Sequence, residues 1–265
     1  LAVNAARTNS AIADVAATLN TEFDPAALLV TVAEHALFGL DASWAAVLLR
    51  DRRPTTGVNG VHVVTESLRT GTTAEVDLLA PGPGLVSARD GVVTMIDDLA
   101  AAEDSRWPRY RREALAAGLR AVRAFPIVSL QTPLGSIVIH TDEPWGSARS
   151  STFGQILASL TATALSSAAV HHRRADAAAS IEELLDGGRL IASATGMLAE
   201  VLNVDVAQAR RALARLARAY GVSVTAHSRV IVEAHNRDPL APKPSWAHLP
   251  DLPPPRRIDR DPPER

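Results

Sequence analysis

The stretch from Arg189 to Asn236 admits little besides helix. Leu190, Ala194, Met197 and Val201 recur at steps of four, three and four, opposite Arg189, Ser193, Gly196 and Glu200. That spacing marks one face of a helix. A second period follows. Val206, Ala209, Leu213, Leu216 and Tyr220 form its expected buried stripe, and Arg211, Arg215 and Arg218 its outward one. Asp205 suits the N-cap of this second helix, and Gly221 suits the position just past its end. Ser223 then caps an expected third helix with Ala226, Val230 and Ile231 inward. Three such helices make a small bundle.

Charge singles out the second helix. Residues 189–232 hold six arginines against two acids, Glu200 and Asp205, in a chain whose formal net charge is −2. The molecule as a whole is therefore no polyanion binder, and any nucleic-acid surface has to be local. Arg211, Arg215 and Arg218 stand at i, i+4 and i+7, so they share a face with no acid between them. A planar guanidinium fork matches phosphate, which makes the stripe a candidate phosphate-binding surface. The competing reading is a solvated charged face.

Before residue 170 the pattern is mixed. Helical spacing joins Ile12, Val15, Ala16 and Leu19, and Asp24-Pro25 opens a second helix carrying Leu28, Leu29, Val32 and Ala36. Strand-like runs follow at Trp44–Leu49, Val61–Val64, Val92–Ile96, Arg120–Ile127 and Gly135–His140. Thr56-Gly57 and Asn59-Gly60 predict a turn, and LLAPGPGLVSARDG reads as a loop. Helices are expected from Arg106 to Ala117 and from Thr152 to Ala169. The strands lack the regular crossovers of a doubly wound sheet, which predicts an α+β domain with a mostly antiparallel sheet.

Residue content closes several routes. The chain has no cysteine, which removes disulfides, thiol catalysis and cysteine-ligated metal. No apolar run is long enough to predict a membrane span. No basic segment precedes an apolar core at the N-terminus, so no signal peptide is expected, and a cytoplasmic location is. No Walker phosphate loop, HExxH, GxSxG or receiver domain is present, and no nucleophile–base pair stands out, so no catalytic residue, cofactor or metal site is predicted.

Several segments of the first part resemble the GAF family of bacterial sensor domains, in matching order over roughly residues 10–170. They are Gly82-Pro83-Gly84-Leu85-Val86-Ser87-Ala88, Val93 to Asp98, Arg106-Trp107-Pro108, Gly118-Leu119-Arg120, Phe125-Pro126-Ile127 and Leu134-Gly135-Ser136-Ile137. The resemblance implies a small-molecule site between the sheet and its loops, lined here by Asp97, Trp107, Tyr110 and His140. A Trp before a Pro can equally plug a core, and a lone His can be satisfied by a backbone carbonyl. The motif of the cyclic-nucleotide-binding members is absent, as is a cysteine for bilin attachment. Members of the family also serve as dimerisation modules without a ligand.

Between the two parts, residues 171–188 read as an alanine-rich linker helix with His171-His172-Arg173-Arg174 in it. Gly187-Gly188 would weaken that helix by about 2 kcal/mol relative to two alanines, and so predict a hinge or a break. Adjacent histidines point to different sides of a helix and make a poor metal pair. After Asn236 come nine of the seventeen prolines, and residues 237–265 read as a disordered Pro-rich tail.

The C-terminal bundle resembles the ANTAR family, three-helix RNA-binding domains of bacterial antitermination regulators, over about residues 178–236. The resemblance rests on Arg189-x-Leu-Ile-x-x-Ala194-Thr195-Gly196-Met197-Leu198, then Val204-Asp205, Ala209, Leu213 and Ala217. The chain departs from the family pattern at Leu185-Asp186, Arg210, Ala214, Gly221 and Ser228. Together the resemblances predict an α+β GAF-type domain followed by an all-α three-helix ANTAR-type bundle, with domains at 1–170 and 189–236. They imply a homodimeric regulator that binds two RNA stem-loops with six-base loops and holds nascent RNA in an antiterminator form. Arg189, Arg211, Arg215 and Arg218 would meet phosphates. Tyr220 would stack a base or pack in the core, and Ala194 and Gly196 would allow close approach of RNA or of a helix. The alternative is a ligand-binding or dimerisation module whose degenerate bundle takes a protein partner or DNA.

Overall fold

The computed structural model describes residues 2–18, 24–51, 60–72, 76–101, 106–147, 149–171 and 177–237. The turn expected at residues 56–59, the run at 172–174 and the Pro-rich tail lie outside the described residues. The chain divides into two compact units, Leu1–Arg189 and Leu190–Arg265.

The first unit is built on a five-stranded antiparallel sheet in the order β2-β1-β5-β4-β3. The strands are β1 (Trp44–Arg50), β2 (Val61–Leu68), β3 (Thr94–Ile96), β4 (Ala121–Ser129) and β5 (Thr132–Thr141). Side chains alternate across a strand, and here both faces are apolar. Ala45, Val47, Leu49, Phe125, Ile127, Ile137 and Ile139 point to one core. Trp44, Ala46, Leu48, Val122, Ala124 and Val138 point to another. A sheet with two apolar faces must be covered twice. Helices α1 (Ala2–Thr18), α2 (Pro25–Gly39) and α5 (Ser151–His171) cover the first face. Helices α3 (Pro83–Asp90) and α4 (Pro108–Ala116) cover the second. Each fully buried Ile or Phe contributes about 1.5–3 kcal/mol of transfer free energy to these cores.

Local signals set the ends of the elements. The Asp24 side chain accepts hydrogen bonds from Ala26 N and Ala27 N at 3.1 and 3.2 Å, with Pro25 at the first helical position of α2. Strands β4 and β5 meet in a two-residue turn in which Leu130 and Gln131 both take positive φ, 47° and 62°. That geometry matches the right-handed twist of a hairpin, although neither residue is the usual Asn or Gly.

The GPG stretch is not a loop. Pro83 starts α3 and Gly91, at φ 70°, ends it. A Cβ on Gly84 would lie 2.7 Å from Val138 Cγ2. Glycine is needed there for the helix to lie close on the sheet, and it does not mark a turn. The strand expected from Val92 begins only at Thr94.

Helix α6 (Ala177–Leu202) runs through Gly187 and Gly188 without the predicted break. A Cβ on Gly188 would meet the Val64 carbonyl oxygen at 2.8 Å, so this glycine serves close packing. Leu184 and Leu185 pack against the core of the first unit, which offsets the low helix propensity of the glycine pair. Residues 184–188, read as linker, are therefore part of the first unit's packing.

In the second unit α6 is followed by α7 (Val206–Ala219) and α8 (Val224–Arg237). The caps fall where the sequence places them. Asp205 Oδ1 accepts from Gln208 N at 2.7 Å, Ser223 Oγ from Ala226 N at 3.1 Å, and Gly221 takes φ 65°. The buried faces match those predicted only in part. On α6 they are Ile191, Ala194, Thr195 and Leu198, while Val201 is exposed. On α7 Ala209, Ala212, Leu213, Leu216 and Ala217 are buried, while Val206 and Tyr220 are exposed. On α8 His227, Ser228 and Ile231 face inward, and Ala226 and Val230 do not. Among the described residues no single helix is long and apolar enough to cross a membrane.

Candidate functional site

Two constellations gather the candidate residues, one on the second face of the sheet and one along α7. The first follows from strand register. Trp44 on β1 stands directly opposite His140 on β5, on the same face, and cross-strand neighbours at that spacing touch. Their rings stack at 4.7 Å between centroids, 18° apart. Tyr110, carried in by α4, reaches His140 Nε2 with its hydroxyl at 2.5 Å. Trp44 Nε1 donates to Glu66 Oε2 at 3.1 Å, tying β2 to the group.

The electrostatics follow from burial. Tyr110 and His140 are shut off from solvent. Burial alone raises the Tyr110 phenol above its ordinary range and drops His140 to about 3. Loss of solvent also raises the Glu66 carboxyl, against the lowering effect of the Trp44 hydrogen bond. His140 is thus a neutral imidazole, and its Nδ1 has no hydrogen-bond partner among the described residues. The rings of Trp44, Tyr110 and His140 pack against one another on this face of the sheet.

The residues expected to line one site do not all meet. Tyr110 and His140 do. Trp107 is half-buried against the same cluster, at the N-cap of α4 in a left-handed conformation (φ 51°, ψ 59°), with the Arg106 guanidinium 5.1 Å above its ring. A Trp at positive φ is a strained backbone position. Asp97 lies apart. Its carboxylate pairs with Arg123 Nη2 at 2.8 Å, and Arg123 in turn lies over the buried Trp145 ring at 4.5 Å. Trp44, Glu66 and Trp145 were missed in the sequence. A pairing register alone would have put Trp44 beside His140, and nothing local marks Glu66.

His140 couples the state of this core to pH. It is neutral in the folded chain down to about pH 3 and titrates near 6.5 when unfolded. Below pH 6.5 the unfolded state takes up a proton that the folded state refuses, so stability falls with falling pH through the window from 6.5 to about 3. Between pH 7.5 and pH 5 the loss from His140 is expected to be about 2 kcal/mol. His35 is also lowered, mainly by burial, and adds a slope of the same sign. The difference between the wild type and His140→Phe in urea unfolding at the two pH values isolates the His140 share. Equal slopes in the two proteins would refute it.

The second constellation lies on α7. Arg211, Arg215 and Arg218 are exposed and line one groove with Leu202, Val204 and Ala214. None of the three arginines is bonded to a carboxylate or carbonyl among the described residues. Like charges at i, i+4 destabilise a helix by about 0.2–0.5 kcal/mol per pair, so the stripe is a local cost with no compensating acid. The other predicted RNA contacts are dispersed. Arg189 is exposed and 3.5 Å from Asp186, one turn back. Gly196 faces open space, with nothing within 4 Å of an added Cβ. Ala194 is fully buried, so it packs within the bundle and cannot be a contact surface. Tyr220 is half exposed and stacks on His227 at 5.1 Å, which corrects its place on the buried stripe. Among the described residues no cluster of three metal-ligating side chains occurs.

An antiparallel sheet with helices on both faces defines the first unit as an α+β domain. The family model for the GAF domain matches residues 24–165, and the chain belongs to the GAF domain family, a sensor or dimerisation module of signalling proteins. The phycoerythrobilin-bound GAF domain from a cyanobacterial phytochrome is similar at 13% identity and a TM-score of 0.50, covering 63% of this chain and 98% of that one. The free methionine-R-sulfoxide reductase from Neisseria meningitidis, solved with its substrate, is similar at 13% identity and a TM-score of 0.47, over 62% of this chain and 91% of that one. The GAF domain of an Acinetobacter phosphoenolpyruvate-protein phosphotransferase is similar at 14% identity and a TM-score of 0.45, over 63% and 96%. At these identities the likeness is one of fold. No curated protein matches the chain significantly.

Proposed function

We propose that the chain is a cytoplasmic, homodimeric, non-catalytic regulator in which the GAF domain senses or dimerises and the C-terminal ANTAR-type bundle binds RNA. Its ligand would be a pair of stem-loops with six-base loops, held in a form that excludes a transcription terminator. The observation that carries the reading is the exposed, unpaired stripe of Arg211, Arg215 and Arg218 on α7. Phosphates set along it would relieve the repulsion among the arginines and form charge-assisted hydrogen bonds. Single-stranded loops are the parts of RNA whose bases side chains can reach.

The test is binding of the full chain to a tandem hexaloop RNA, in competition with the same stems closed by unrelated loops and with duplex DNA. Three phosphate contacts on a single strand set a slope of about −2 in log affinity against log salt. The hexaloop RNA is expected to outcompete both rivals with that slope. Equal competition by duplex DNA, or affinity indifferent to salt, would remove RNA from the reading.

A further inference from the structure

The arginine stripe borders more than a charged surface. Between α7 and the chain leaving α6 runs a groove of about 480 Å³, within the usual span of small-ligand sites. Leu202 and Val204 form one wall, and Ala212 and Ala214 lie along the α7 side. Gln208 stands one turn before Arg211 and also lines the groove. Leu202 is 38% exposed, so an apolar wall faces solvent beside three unpaired cations.

An occupant of this groove needs an apolar face and anionic groups on either side of it. Ala212 and Ala214 give the α7 side only small side chains, a surface on which a planar ring can lie flat. The amide of Gln208 supplies a donor and an acceptor in one plane, suited to the edge of a base. Arg211, Arg215 and Arg218 supply the charge complementarity.

We infer that the groove holds one unstacked nucleobase of the RNA loop. Its face lies against Leu202, Val204 and Ala214, its edge meets Gln208, and its flanking phosphates sit on the three arginines. The inference rests on the RNA reading of the bundle and makes the groove its base-reading part. The arginines then provide affinity, and the groove provides preference for a loop over a bare backbone.

The experiment is an abasic scan. Each loop nucleotide of the hexaloop RNA is replaced in turn by an abasic residue, which keeps the phosphate and deletes the base, and binding to the full chain is measured. One position is expected to weaken binding about tenfold, the range of base stacking on protein. Ala214→Leu, on the exposed side of α7, fills the groove without touching charge. It is expected to weaken the intact RNA by a similar factor, to erase the effect of the abasic residue at that position, and to leave the salt slope and helicity unchanged. Gln208→Ala, which opens the groove instead of filling it, is expected to lower discrimination at the same position. A flat scan in a protein whose binding collapses on Arg215→Glu overturns the groove inference and leaves RNA binding in place. RNA binding absent from the wild type overturns both. Capture of an acidic amphipathic peptide, blocked by Ala214→Leu with no RNA bound, would assign the groove to a protein partner.

Discussion

Tyr110→Ala is expected to remove about 5 kcal/mol from the stability of the GAF domain. The ring is fully buried, and truncating a buried aromatic residue costs about 3–5 kcal/mol in lost transfer energy and cavity. The hydroxyl is the partner of His140 Nε2, and His140 Nδ1 is already without one. The imidazole would be left buried with no hydrogen-bond partner among the described residues, which costs about 1–3 kcal/mol more. Domains of this size are stable by about 5–15 kcal/mol, so the variant stands near unfolding. Tyr110→Phe keeps the ring and loses only the hydroxyl, with an expected loss of about 1–3 kcal/mol. Urea unfolding followed by tryptophan fluorescence reads both, because Trp44 stacks on the same histidine. Phenol at millimolar concentration is expected to recover part of the stability of Tyr110→Ala by entering the cavity. Equal losses for Ala and Phe would mean that packing contributes nothing here.

That cluster shows where sequence reasoning reaches and where it stops. The strands were legible because alternation and apolar runs are local, and β1, β4 and β5 fall within a few residues of their predicted positions. Caps were legible for the same reason: Asp24, Asp205 and Ser223 bond to amides two or three residues away. Tyr110 and His140 are thirty residues apart and meet only through the packing of α4 on the sheet. Glu66 reaches Trp44 only through the β1–β2 register. Glycine misled in two places. In α3 and α6 the sequence suggests a loop and a break, but Gly84 and Gly188 are small because Val138 and the Val64 carbonyl press on them. The faces of the bundle helices agree with the expected ones in part: Ala194, Ala209, Leu213, Leu216 and Ile231 are buried, whereas Val201, Val206, Tyr220, Ala226 and Val230 are exposed. A stripe's period follows from sequence, but its phase depends on where the other helices lie. The arginine face was legible because charged side chains go where packing does not.

Arg211→Glu together with Arg215→Glu is expected to lower affinity for tandem hexaloop RNA by at least about a hundredfold. Each hydrogen bond to a charged group contributes about 1.5–3 kcal/mol, so losing two removes about a hundredfold or more before any repulsion between glutamate and phosphate is counted. The slope of log affinity against log salt should shrink by about 1.4 as two phosphate contacts are lost. Folding should survive. Both side chains are exposed and unpaired, so no buried partner is stranded. The two introduced carboxylates repel at i, i+4 as the arginines did, while the second of them gains Arg218 as a partner one turn on. Far-ultraviolet circular dichroism should therefore match the wild type. The control is Arg229→Glu with Arg237→Glu, the same change in net charge placed on α8, where both residues are exposed. If the control pair loses as much affinity as the stripe pair, RNA responds to overall charge and α7 has no special part. Unchanged affinity in the stripe pair would free those arginines from RNA altogether. A large loss confined to the stripe pair, with a reduced salt slope, would favour the geometric reading, because the two proteins carry the same net charge and differ in where it lies.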